Sequence, residues 1–96
     1  MSGGHFNYDQ YRIAQIADEV EQLILTNDSE ELDVYGARMG SHFKPETVHQ
    51  FRRGLTLLRM ATIYAQRIDW LVSGDDGEDS FHQRLKSDLE KLLQHE

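Results

Sequence analysis

Apolar residues recur every three to four positions in three stretches of the chain, with polar residues filling the gaps between them. In NYDQYRIAQIADEVEQLILTN the apolar set is Ile13, Ile16, Ala17, Val20, Leu23 and Ile24, which predicts a helix over about 8–26. Asn7 stands where an N-cap belongs, and Asp9 and Gln10 fall in the first turn, where a negative charge and a capping-box partner are favourable. Pro45 followed by Glu46 opens a second helix, expected over 45–73 and about 42 Å long at 1.5 Å per residue. A third, over 79–94, starts at the capping-box pattern Ser80-Phe81-His82-Gln83, turns Phe81, Leu85, Leu89, Leu92 and Leu93 inward, and frays by His95. The segment DSEELDVYGARMGSHFK carries mixed signals: a short helix from Ser29 to about Tyr35, then a loop punctuated by Gly36 and Gly40. The pattern predicts one all-α domain over 1–96, a helical bundle of three main helices around a long central one.

That central helix has more apolar surface than one partner needs. Val48, Phe51, Leu55, Leu58, Ala61, Ala65, Ile68 and Val72 form one stripe, expected against the first and last helices. Leu57, Met60, Tyr64 and Leu71 lie on another side and predict packing on a second subunit, a dimer or higher homo-oligomer, because monomers avoid large exposed apolar patches. A chain of 96 residues buries only about 60–65 % of the surface its unfolded form exposes, which adds to the case for assembly.

Composition narrows the partners. Ten basic residues against 17 acidic ones give a net charge of −7, which repels a phosphate backbone and argues against generic nucleic-acid binding. No apolar run approaches membrane-spanning length, and the N-terminus lacks the pattern of a secretory signal, so a cytoplasmic protein is expected. The absence of cysteine removes disulfides, thiolate metal sites and a cysteine nucleophile. The charge is also segregated: residues 1–43 carry −6, residues 44–67 carry +4 and residues 68–80 carry −5, so the central helix is a basic rod in an acidic protein.

Candidate chemistry follows from these placements. Asp69 falls within an apolar stripe near a helix C-terminus, where the dipole disfavours an anion, so it requires an arginine, a histidine or backbone donors. His5, Arg12 and Arg84 are the side-chain candidates, with Arg12 favoured. Arg52 and Arg59 are seven residues apart on one face, with Gln66 and Trp70 beyond, a pattern that could offer guanidinium forks and an indole to a planar anion. The competing reading of these arginines is salt bridging to the acidic first helix. In GGHFNY, two glycines precede His5, Phe6 and Tyr8 just before a helix N-terminus, which favours anions. The acids of SGDDGED are bunched and do not match the alternating spacing of an EF-hand, so they read as a helix stop, a turn and a helix start. No metal site, cofactor site or established catalytic motif is found. His5, Asp69 and His82 form the single constellation that could support acid–base work, and only if the fold gathers them.

The stretches GGHFNYDQYRIAQIADEVEQLI and YAQRIDWLVSGDDGEDSFHQRL resemble a family of small uncharacterised proteins of tailed phages and prophages. The resemblance implies that Gly3, Gly4, His5, Phe6, Tyr8, Asp69, Trp70, Ser73, Gly74, Asp75, Asp76, Gly77 and His82 form a shared signature. It implies a bacterial host cytoplasm and a host-takeover role rather than housekeeping metabolism. The expected function is non-enzymatic capture of a small anionic host molecule, such as a nucleotide defence signal. His5, Phe6, Tyr8, Arg12, Arg52, Arg59, Asp69, Trp70, His82 and Arg84 are the candidate ligand-binding residues. The alternatives are an acidic adaptor or inhibitor working by protein contact, and a small hydrolase using His5, His82 and Asp69.

Overall fold

A computed structural model describes residues 4–94 and contains three helices: α1 over Gln10–Leu25, α2 over Pro45–Val72 and α3 over Glu78–Gln94. Gly3 and His95, named above, lie outside the described residues. The chain is all-α, as its periodicity predicts. Helices α1 and α3 both pack on α2 and not on each other, so the three form a single layer. Its extents are 52 × 30 × 15 Å, and its radius of gyration is 17.2 Å against the roughly 12–13 Å expected for a compact chain of this length. Among the described residues only Ala17 and Ile24 are buried apolar residues, and no large side chain is completely enclosed. No helix among the described residues is long and apolar enough to cross a membrane.

Both boundaries of α2 and the start of α3 have local causes. Pro45 starts α2, its missing N–H being one that no helical carbonyl would have accepted. The stop at Gly74 is a Schellman motif: Gly74 adopts φ 82°, its N–H donates to the Leu71 carbonyl at 3.2 Å, and the Asp75 N–H donates to Trp70 at 2.9 Å. At the start of α3, Ser80 is not the cap but the third helical residue. Its hydroxyl accepts the Gly77 N–H at 3.2 Å and donates to Asp76 Oδ1, while Asp76 Oδ1 also accepts the Gly77 N–H at 3.1 Å. Helix α1 begins two residues later than its periodicity suggests. Asn7 does not cap it, because Asn7 and Tyr8 sit in left-handed backbone at φ 51° and 64°.

Residues 28–44 do not contain the short helix expected from Ser29 to Tyr35. They form a small hairpin-like loop with a single bridge between Leu32 and Arg38. Asp33 is the reason: its carboxylate accepts the N–H groups of Tyr35 at 2.8 Å and Ala37 at 3.0 Å, holding a turn that competes with helix. Asn27, buried after α1, anchors the other end of the loop by accepting the Phe43 N–H at 2.9 Å and donating to the Phe43 carbonyl at 3.1 Å. Gly40 passes so close that a Cβ there would stand 2.6 Å from the Thr26 carbonyl oxygen.

The inner stripe drawn on α2 is only partly covered: Ala61, Ile68 and Val72, assigned to it, are exposed. On the other side Leu57 and Tyr64 are exposed, whereas Met60 and Leu71 are partly covered. On α3, Leu93 is exposed rather than inward-facing.

Candidate functional site

Helix α1 runs antiparallel to α2, which sets Gln10 beside Gln66 and Asp69, Asp18 beside Arg59, and Asn27 beside the start of α2. The two ends of the α1–α2 pair therefore form two separate grooves.

At the C-terminal end of α2, Asp69 is 3 % exposed. Its Oδ1 accepts the Phe6 backbone N–H at 3.0 Å, and its Oδ2 faces Gln10 Nε2 at 3.4 Å. Gln10, itself buried, donates to Gln66 Oε1 at 2.8 Å, and the His5 N–H donates to Ser73 Oγ at 3.1 Å. Gly4 at φ 65° lies against the carboxylate, where a Cβ would come within 2.7 Å of Asp69 Oδ2. The segment preceding α1 is thus laced over the last turns of α2, and Asp69 meets the electropositive start of α1. Arg12, the favoured partner, is not involved. It is exposed and 3.7 Å from Asp9 on its own helix. Arg84 instead reaches Asp76 at 3.4 Å, and His5 contributes its backbone to Ser73.

Beside this knot is a groove of about 410 Å³ lined by His5, Phe6, Asn7, Asp9, Gln10, Ile13 and Ala65. His5 and Phe6 meet edge to face at 5.0 Å, whereas Tyr8 is exposed and tilted against Tyr11. Gln10 Oε1 is buried without a hydrogen-bond donor.

A second groove, of about 380 Å³, opens at the N-terminal end of α2 between Asn27, Asp28, Phe43, Pro45, Val48, His49 and Arg52. Phe43 packs edge to face on Phe51 at 5.5 Å and remains partly exposed. Arg52 has no ion-pair partner among the described residues, and it stands one turn or two from the electropositive end of a 28-residue helix. Phe43 is not singled out by the sequence pattern, because its position depends on how Asn27 clamps the loop; His49 stands on α2 one turn before Arg52.

The remaining candidates are dispersed. Arg59 donates to Asp18 at 2.8 Å and lies 3.7 Å from Glu21, so the salt-bridging reading holds for it. Trp70 carries the Arg67 guanidinium 4.9 Å from its ring centroid, and Arg67 in turn binds Asp88 of α3 at 2.6 Å. Arg52 and Trp70 are separated by about 27 Å along the helix axis, too far for one small ligand to touch both within a chain. His82 stacks on Phe81 at 5.2 Å and shares no hydrogen bond with His5 or Asp69 among the described residues. The acids of the corner act as turn and cap acceptors, and no group of three potential metal-ligating side chains occurs among the described residues.

No family model, no curated protein and no solved structure matches this chain.

Proposed function

We propose that the protein is a non-enzymatic, self-associating binding protein that captures a small anionic molecule carrying a planar ring, with a nucleotide signal as the leading class. The observation that carries this reading is the groove at the start of α2. There Arg52, which makes no ion pair among the described residues although Asp28 also lines the groove, shares a wall with His49 and the partly exposed ring of Phe43. An unpaired guanidinium can take a phosphate in a bidentate fork, the helix end adds positive potential, and an aromatic ring offers a stacking face. Arg59, by contrast, is neutralised by two acids and serves the α1–α2 contact. A host-takeover role in a bacterial cytoplasm follows from the likeness to small phage proteins.

A thermal-shift screen of nucleotides tests this. Capture raises the Tm in proportion to the logarithm of nucleotide concentration, and Arg52→Ala abolishes the rise. Chromatography of the recovered nucleotide, unchanged, separates capture from hydrolysis. The proposal fails if no nucleotide shifts the Tm, or if Arg52→Ala shifts it as the parent does.

One observation favours a second reading, an adaptor acting by protein contact. Val34 and Tyr35 at the tip of the 28–44 loop are 92 % and 91 % exposed, and Glu30, Glu31 and Asp33 flank them. An apolar tip in an acidic collar suits a protein cleft with a basic rim. This reading predicts binding that Tyr35→Ser abolishes and Arg52→Ala leaves intact.

A further inference from the structure

The exposed apolar residues of α2 are not scattered. Leu57, Ala61, Tyr64 and Ile68 are spaced four, three and four apart, the a/d alternation of a heptad seam, and all four are exposed. Gly54 continues the seam toward the N-terminus with open space where a Cβ would be. Between Leu57 and Ile68 no charged residue interrupts it, since Arg59 turns to the acids of α1 and Arg67 to Asp88 of α3; Arg53, beside Leu57, marks its basic margin. Leu23 of α1 joins the same side, sharing a groove with Gln50 and Gly54.

The accessible area leaves room for a partner. A compact 11.2 kDa monomer exposes about 5,700 Å², whereas this chain exposes 7167 Å². The excess, roughly 1,500 Å² over the whole chain with its exposed 28–44 loop included, exceeds the roughly 800 Å² that each partner buries in a standard interface. Charge decides the direction. Lys44, Arg52 and Arg53 outnumber Glu46 at one end of α2, and Asp75, Glu78 and Asp79 stand at the other, where Asp76 is taken up by Arg84; Arg53 and Asp75 have no ion-pair partner among the described residues. A parallel pair would stack like charges at both ends. An antiparallel pair sets each basic end against an acidic one.

We infer that a second copy of this chain seats on the seam with its α2 antiparallel, Leu57 of each copy against Ile68 of the other and Ala61 against Tyr64. The inference rests on the self-association contained in the proposed function and adds its surface, direction and register. The two-fold axis lies midway between Ala61 and Tyr64, so the Leu57 residues of the two copies stand about 16 Å apart along the axis.

The chain lacks cysteine, which gives a clean cross-linking background. Full-length Leu57→Cys and Ile68→Cys proteins are oxidised separately and after mixing and subunit exchange, and the solution mass of the parent is measured by light scattering. The expected result is a mass that is a multiple of 11.2 kDa, rapid disulfide formation in the mixture and none in either variant alone. Self-linking of Leu57→Cys alone indicates a parallel pair and overturns the antiparallel register. A multimeric mass with no cross-link in any sample overturns the seam while leaving self-association standing. A parent mass of 11.2 kDa overturns both.

Discussion

Asp69 shows most clearly what a single residue does here. A buried carboxylate is tolerable because a backbone N–H and a buried amide satisfy it, so Asp69→Ala leaves the Phe6 N–H without its acceptor and Gln10 with Gln66 alone. We expect a loss of about 1–3 kcal/mol in urea unfolding, with amide exchange at Phe6 accelerated more than in α2. That Asp69 needs a partner is legible in the sequence, since an acid within an apolar stripe demands one. Which partner is not, because backbone donors are everywhere in a sequence and only the left-handed turn at Asn7 and Tyr8 aims this one. Two glycines of the 28–44 loop make a matched pair. Gly40→Ala drives a methyl into backbone of Thr26, Asn27 and Ser29, whereas Gly36→Ala meets nothing and bears only its positive φ. Gly40→Ala should therefore cost more, about 1–3 kcal/mol, than Gly36→Ala at about 1 kcal/mol, as read from paired denaturation curves.

Among the elements, the helices whose ends are set by local chemistry were the readable ones. Pro45 and Gly74 announce the limits of α2, and Gly74→Ala, by straining the Schellman turn, should lower stability by about 1 kcal/mol and loosen the α2–α3 corner. Boundaries set by distant groups were misjudged. Helix α1 starts late because Asp69, some sixty residues away, holds the preceding segment in a turn. The expected helix at Ser29 is displaced by the side chain of Asp33, a local competitor that periodicity does not weigh, and by the clamp from Asn27. The Arg59–Asp18 bridge joins α1 to α2 but lies near the surface, so Arg59→Ala should cost less than about 1 kcal/mol. Arg67→Ala, which removes both the Asp88 bond and the cation over Trp70, should cost more and detach α3 selectively in hydrogen exchange.

At the scale of the whole molecule, the basic segment 44–67 between acidic segments 1–43 and 68–80 is legible by counting, but its consequence depends on the fold. The middle is itself divided, with Arg59 and Arg67 consumed by neighbours and the start of α2 left basic. The candidate site is correspondingly half legible: Arg52 is read from the sequence as one of two arginines on a face with Arg59, and His49 precedes it on the same helix, whereas Phe43 comes from a loop whose course the sequence does not declare. A layer 15 Å thick with two buried apolar residues among those described has a thin core, and the proposed second copy would supply the missing half. Small-angle scattering of the purified protein tests that claim most directly. The account predicts a particle of at least two chains, thicker than one layer. A folded 11.2 kDa particle with a radius of gyration near 17.2 Å would contradict it.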